Sequence, residues 1–219
     1  IGQVQALFET NFHGVVRVTN AVLPIMRAQG VGRILNVGSV LGLIPGPFGA
    51  YYAASKHAIE GYSESLDHEV RPFGIRVAVI PTRSVVQTLA AAAVHDPGAH
   101  FDDDLVAMGR SSASTRYGAV TVAVRQAVTT AGMCQVGDVL GLLDGDIVEI
   151  EPTVAEAGVA IVRRMLERGG ELLTIVAGED ADEALLAAVS DAAELVSPEA
   201  EVEIVHGGQP LWPLIIGLE

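Results

Sequence analysis

Cysteine is almost absent. Cys134 is the only one in 219 residues, which excludes an internal disulfide framework and a cysteine zinc cluster and fits a reducing, cytoplasmic setting. The ordinary role for such a residue is a small, partly buried thiol. Although 50% of the residues are apolar, no continuous apolar run reaches the roughly 20 residues that span a bilayer, so a soluble chain with a real core and no membrane span is expected. A basic, hydrophobic leader with a small-residue cleavage site is also missing, and the chain opens on Ile1 rather than Met, which suggests that a further segment precedes it. Basic residues are few: 13 Lys and Arg stand against 27 Asp and Glu, a net charge of −14. That balance excludes a nucleic-acid groove, which needs clustered cations to neutralise phosphates.

The negative charge is not evenly spread. Residues 1–80 hold six basic and five acidic side chains, a balance of +1, whereas 81–219 hold seven basic and twenty-two acidic, a balance of −15. The division suggests two segments of different origin, 1–80 and 81–219. By itself an acidic surface signifies solubility.

The apolar residues Val15, Val18, Val22, Ile25 and Met26 recur at helical spacing and predict a helix over 3–29, with Pro24 inside it. Arg33–Val37 reads as a strand buried on both faces; a Gly/Pro-rich loop follows over 42–49, then a helix over 51–70 that Pro72 and Gly74 terminate. Ile75–Ile80 is a second apolar, β-branched strand, so 33–80 forms a strand, helix, strand unit with parallel strands. Beyond Pro81, helices are predicted over 84–95, 102–112, 153–168 and 182–195. Strands are predicted over 118–124, 139–143, 147–150, 172–176, 202–205 and 211–218, with Asp144-Gly145 as a tight turn. No internal repeat or disordered linker separates the parts, so one continuous body is expected.

Tyr52 and Lys56 lie four apart on the predicted helix and therefore stack on one face, while Ser39 follows the end of the preceding strand. Strand ends are where α/β sheets seat ligands. A phenol with a pKa near 10 is a poor proton donor at neutrality. An ammonium at ~4 Å offsets that by on the order of 4 kcal/mol at an effective dielectric of 20, or about three pKa units, but by only about 1 kcal/mol in water. The chemistry therefore requires a site walled off from solvent, with Ser39 donating to a substrate oxygen.

NFHG at Asn11–Gly14, RILNVGS at Arg33–Ser39, YAASK at Tyr52–Lys56 and GIRVAVI at Gly74–Ile80 together resemble the catalytic half of the short-chain dehydrogenase/reductase family. The resemblance implies Asn11 as the proton-relay member, Ser39 as the substrate-oxygen donor and Tyr52 as general acid/base. It implies that Lys56 lowers the phenol's pKa and, with Tyr52, contacts NAD or NADP. Tyr51 is an adjacent decoy, because four residues on it meets Ser55 rather than a cation. Two departures stand out. The family's glycine-rich strand-to-helix turn, which receives the pyrophosphate, has no counterpart: Gly30-Val31-Gly32 lacks a third glycine and precedes a strand. After the strand at 75–80 the family's Pro-Gly is replaced by Pro81-Thr82.

PTRSVVQ at Pro81–Gln87, AVHDP at Ala93–Pro97, GDVLGLLDGDIVEI at Gly137–Ile150 and GGQPLWPLIIGLE at Gly207–Glu219 resemble the C-terminal, DegV-like region of the large subunit of bacterial fatty acid kinases, which belong with the dihydroxyacetone kinase-like proteins. That resemblance implies assembly and contact with a fatty-acid-binding partner. An engineered or recombined chimera accounts for the charge division, the lost Pro-Gly and the absent beginnings of both families; a native fusion and a misassembled reading frame account for them as well.

Elsewhere, His95, Asp96 and His100 beside Asp102-Asp103-Asp104 offer metal-ligand chemistry, but carboxylates opening a helix ordinarily serve its dipole, and no metal is expected. His206 reads as a turn residue. Arg116 reads as an anion contact or as a partner for acidic neighbours, Trp212-Pro213 as a cap on a core or interface, and Ser111–Thr115 as a polar loop. The expected fold is three-layer α/β with a mainly parallel, mixed central sheet, a Rossmann-like first part whose two strands begin that sheet, and a DegV-like second part. The expected function is that of a chimeric or fragmentary protein carrying a dehydrogenase tetrad without a dinucleotide-binding half. Two alternatives are an NAD(P)-dependent carbonyl or alcohol oxidoreductase completed by another chain, and a module that docks a fatty-acid-binding partner or another copy of itself.

Overall fold

In the computed structural model, which describes residues 1–219, most elements end at the glycines and prolines that punctuate the sequence. The first helical stretch comprises α1 (Gly2–Phe8), a π-helical turn at Glu9–His13, and α2 (Gly14–Gln29) with Pro24 inside. Gly30, at a φ of 70°, ends it. Next come β1 (Gly32–Val37), α3 (Ala50–Val70), β2 (Ile75–Ile80), α4 (Val85–Ala93) and α5 (Phe101–Ser114). Ser111–Ser114 therefore continue a helix rather than forming the expected polar loop. Ser111 Oγ donates to the Ala90 carbonyl at 2.9 Å, satisfying a hydroxyl that a loop would give to water.

The chain divides into two compact units, Ile1–Arg83 with Ala91–Arg110, and Ser84–Ala90 with Ser111–Glu219. In the first, β1 and β2 pair in parallel from Gly32↔Ile75 to Val37↔Ile80, joined through α3. Alternate strand side chains face opposite ways. One face packs Ile75 and Val77 with Val70, Leu23, Met26 and Leu66; the other packs Leu35 and Ile80 with Ala91, Leu105 and Met108.

The second unit holds β3 (Arg116–Val122), β4 (Ala127–Thr129), β5 (Gly132–Cys134), β6 (Val139–Leu143) and β7 (Asp146–Glu151), then α6 (Val154–Leu166), β8 (Leu172–Ala177), α7 (Glu183–Val196), β9 (Glu201–His206) and β10 (Leu214–Leu218). Its six-stranded sheet has the order β7-β6-β3-β10-β8-β9. The main core joins α6 and α7 to that sheet through fully buried Val120, Ile161, Met165, Ile175, Val189, Leu214 and Ile216.

The α/β class and the mixed sheet are as expected. Two features of the expected topology are corrected. β1 and β2 form a two-stranded sheet of their own and do not begin the larger one. Parallel pairing is found in β1–β2 and β8–β9, whereas the larger sheet's other pairings are antiparallel. Connection length explains the pattern, because a parallel pair needs a crossover long enough to hold a helix. α3 and α7 supply such crossovers. Between β6 and β7 lie only Asp144 and Gly145, at φ 51° and 98°, the positive pair of a tight hairpin turn.

Candidate active site

α3 and the end of β1 build the site. Ser39 follows the strand in extended conformation and caps a 3₁₀ turn at Val40–Gly42, its Oγ accepting from the Leu41 amide at 3.2 Å. The side chain is nearly inaccessible. Lys56 reaches back from α3 so that Nζ donates to the carbonyl of Val37, the last residue of β1, at 3.1 Å. Its ammonium lies 5.8 Å from the centroid of the Tyr52 ring, so the two side chains share one face of the helix as their spacing requires. Tyr52 keeps 37% of its surface accessible, and the decoy Tyr51 keeps 63%.

Asn11 sits in the π-helical turn, a local widening that is frequent at functional sites. Its Nδ2 donates to Ser55 Oγ at 3.1 Å, and Ser55 Oγ in turn donates to the Tyr52 carbonyl at 2.8 Å. Tyr52 and Lys56 are thus brought together, Ser39 is fixed at the adjoining strand end, and Asn11 reaches the tyrosine's backbone through a fully buried serine. Sequence reasoning passed over Ser55, whose only signal was a hydroxyl on the buried side of YAASK.

It also passed over Glu60, one turn beyond Lys56. Its Oε1 is buried with no hydrogen-bond partner, and a side chain at Gly38 would come within 2.8 Å of it. Burial pushes this carboxyl above its ordinary value, and Glu64 adds to the rise against the opposing pull of His57 and Lys56. Asp67, farther along α3, is a contrasting case. Its Oδ1 accepts from the Val77 amide at 2.8 Å and from Arg76 Nε at 3.1 Å, and its Oδ2 accepts from Arg71. Burial alone would raise this carboxyl, but the hydrogen bonds from Arg71, Val77 and Arg76 outweigh it and hold the group below its usual range.

A pyrophosphate-bearing cofactor does not fit the Gly30-Val31-Gly32 turn. Gly30 closes the C-terminal end of α2, where carbonyls rather than amides are exposed and the helix dipole repels anions. A Cβ on Gly74, itself at φ 75°, would lie 2.1 Å from the Gly30 oxygen, so the turn is filled by neighbouring backbone. Tyr52 and Lys56 remain able to contact the sugar of a nucleotide, since the ammonium commits one of its three donors to Val37.

The remaining candidates have structural partners. His95 Nδ1 lies 2.8 Å from Asp104 Oδ2, and the same carboxylate accepts from the Asp96 amide at 2.9 Å and Arg33 at 3.1 Å. Asp104 is therefore the hub of a loop closure, beyond the dipole role expected of it. Arg116 donates to the carbonyls of Met165 and Gly169 at the end of α6, and neither the anion contact nor the acidic partner is what holds it. His206 is the last residue of β9 rather than a turn residue. Cys134 is free and 1% exposed. No helix is long and apolar enough to cross a membrane.

The fold is α/β, and residues 2–97 match the family model described as short chain dehydrogenase. The chain belongs to the FakA-like family of fatty acid kinase C-terminal regions, whose model matches residues 62–219. The uncharacterized oxidoreductase YusZ of Bacillus subtilis is 52% identical over 73 residues, 33% of this chain and 26% of that protein. The uncharacterized protein SH1689 of Staphylococcus haemolyticus is 31% identical over 141 residues, 64% of this chain and 26% of that protein. The chain thus spans about a quarter of the length of these curated relatives. A crystal structure of a short-chain dehydrogenase from Streptomyces avermitilis is 39% identical over 36% of this chain and 29% of that chain, with a TM-score of 0.35.

Proposed function

We propose that residues 1–219 form a composite, with the proton-handling side chains of a short-chain dehydrogenase on a kinase-type C-terminal unit, and that this polypeptide alone does not reduce carbonyls. Tyr52 beside Lys56 offers a proton donor, but carbonyl reduction also needs a held hydride donor. The observation that carries the reading is the Gly30–Gly74 contact, which makes the one Gly-X-Gly of residues 1–80 a closed helix end. NAD or NADP remains the cofactor that the dehydrogenase segment implies. Titrating NADH and NADPH against the purified chain while following nicotinamide fluorescence tests the proposal. No saturable response is expected. Saturable binding abolished by Lys56→Ala would favour an oxidoreductase, completed by another chain if turnover requires one.

A second reading has its own support in the C-terminal unit: docking of a fatty-acid-binding partner. Val128 and Met133 face each other across the β4–β5 hairpin and are 82% and 59% exposed, an apolar cross-strand pair left to solvent. Pull-down with a purified DegV-type fatty-acid-binding protein should succeed with the parent chain and fail with Val128→Asp. Equal recovery of both would remove the hairpin from this reading.

A further inference from the structure

The C-terminal unit contains a cleft of about 620 Å³ that takes no part in the tetrad or in the docking pair. β3 and β8 both run antiparallel to β10, which lies between them, so they are parallel to each other. The cleft opens beyond their carboxyl ends, at Val122 and at the Glu179-Asp180 turn after β8. Crevices outside strand carboxyl ends are the usual ligand seats of α/β sheets. Its walls are apolar: Ala123, Cys134, Leu140, Ile147, Leu211 and Trp212. In the hairpin, Ala127 and Cys134 form the pair that lines the cleft, while Val128 and Met133 form the alternate pair.

A second observation comes from the backbone. Leu211 has a φ of 69° and is 78% exposed. An L-residue in this conformation is strained by about 1–2 kcal/mol, and an exposed leucine recovers little of that by burial. The segment is nevertheless clamped. Thr121 Oγ donates to the Leu211 carbonyl at 2.8 Å, and Gln209 Nε2 donates to the Trp212 carbonyl at 3.0 Å and the Val176 carbonyl at 3.1 Å. Behind it, a Cβ on Gly178 would lie 2.4 Å from the Trp212 oxygen. Three neighbours thus hold Leu211 over the cleft in a conformation that its own side chain disfavours.

We propose that this cleft binds one uncharged, apolar small molecule, with Leu211 and Trp212 as its outer wall. The volume lies within the roughly 300–1,000 Å³ of small-molecule sites. Arg125 opposes Glu179 and Asp180 among the lining residues, leaving a net negative edge that disfavours an anion. A cation would meet Glu179 and Asp180 at the edge only, because the interior residues Ala123, Cys134, Leu140 and Ile147 offer it no partner.

Trp212 is the only tryptophan and Cys134 the only cysteine, and both line the cleft, so the whole chain carries two site-specific reporters. Titration with the neutral dye N-phenyl-1-naphthylamine should give saturable, one-per-chain energy transfer from Trp212. Cys134 is 1% exposed and reacts with an aromatic disulfide reagent only when the cleft opens, so at saturation that reaction should slow several-fold. Ala123→Phe, which fills the cavity, should weaken binding at least tenfold, and Leu211→Gly, which relieves the strain, several-fold. The anionic analogue anilinonaphthalene sulfonate should bind at least tenfold more weakly than the neutral dye. Absence of saturable transfer would overturn the proposal, as would an unchanged Cys134 rate or quenching that follows protein rather than dye concentration. Equal binding of the two dyes would overturn its ligand class. Should Ala123→Phe fail to fold by circular dichroism, unaltered binding by Leu211→Gly together with unprotected Cys134 would be decisive against it.

Discussion

On α3, Glu60 and Asp67 are displaced in opposite directions, and the cause in each case is a partner found or not found. Asp67 is held below its ordinary value near 3.8, so it contributes stability above that pH and loses it as pH falls through the lower, folded value. Asp67→Asn should destabilise the protein at pH 7 by about 2 kcal/mol, since it weakens three hydrogen bonds to one buried group. In urea denaturation the difference from the parent should shrink as pH drops below 3.8. Glu60 is raised above its ordinary value near 4.5, so its contribution is fully present below that pH and is lost as pH rises through the folded value. Glu60→Gln should therefore raise the melting temperature at pH 7 by about 2 °C, an effect kept small by solvent screening, and should change little at pH 4. Gly74 allows a third test. Its positive φ and a Cβ 2.1 Å from the Gly30 oxygen predict that Gly74→Ala costs about 3 kcal/mol, readable in the same denaturation experiment.

Among the elements, those with strong local signals were legible in the sequence. β1, β2 and α3 are bounded by Gly and Pro and filled with residues of matching propensity, and they lie within a residue or two of their expected ends. α6 is another: Thr153 Oγ accepts from the Glu156 amide at 3.2 Å and donates to its carboxylate at 2.7 Å, a reciprocal cap written as T-x-x-E. Thr153→Ala should cost about 1 kcal/mol, and thermal denaturation would show it. The β4–β5 hairpin escaped notice because its strands have three residues each and too little alternation to register. β10 starts at Leu214 rather than Leu211, since the clamped backbone and Pro213 keep the preceding residues out of the ladder. The site divides the same way. The Tyr52–Lys56 pairing was readable because helix geometry converts their four-residue spacing into proximity, and Ser39 because it follows a strand end. The Asn11–Ser55 bond, the buried Glu60 carboxyl and the cleft depend on residues that only the tertiary fold brings together.

For the whole molecule the decisive quantity is charge, since the balance of −15 over residues 81–219 has few local cations to offset it. Arg116 is committed to backbone carbonyls at the end of α6, while Arg164 pairs with Glu149. Most carboxylates of this segment therefore face water and one another, and their mutual repulsion opposes compaction. Raising sodium chloride from about 10 mM to about 150 mM shortens the screening length from about 30 Å to about 8 Å. Trp212 lies in the unit Ser84–Ala90 with Ser111–Glu219, which holds five basic and eighteen acidic side chains, so its emission isolates the effect from residues 1–80, whose charges nearly cancel. The urea midpoint followed by Trp212 should rise over that range of salt. A midpoint that stayed level would mean that the acidic side chains are already spaced beyond one another's reach. One that fell would mean that attractive pairs such as Arg164 with Glu149 contribute more to this unit than the repulsion removes.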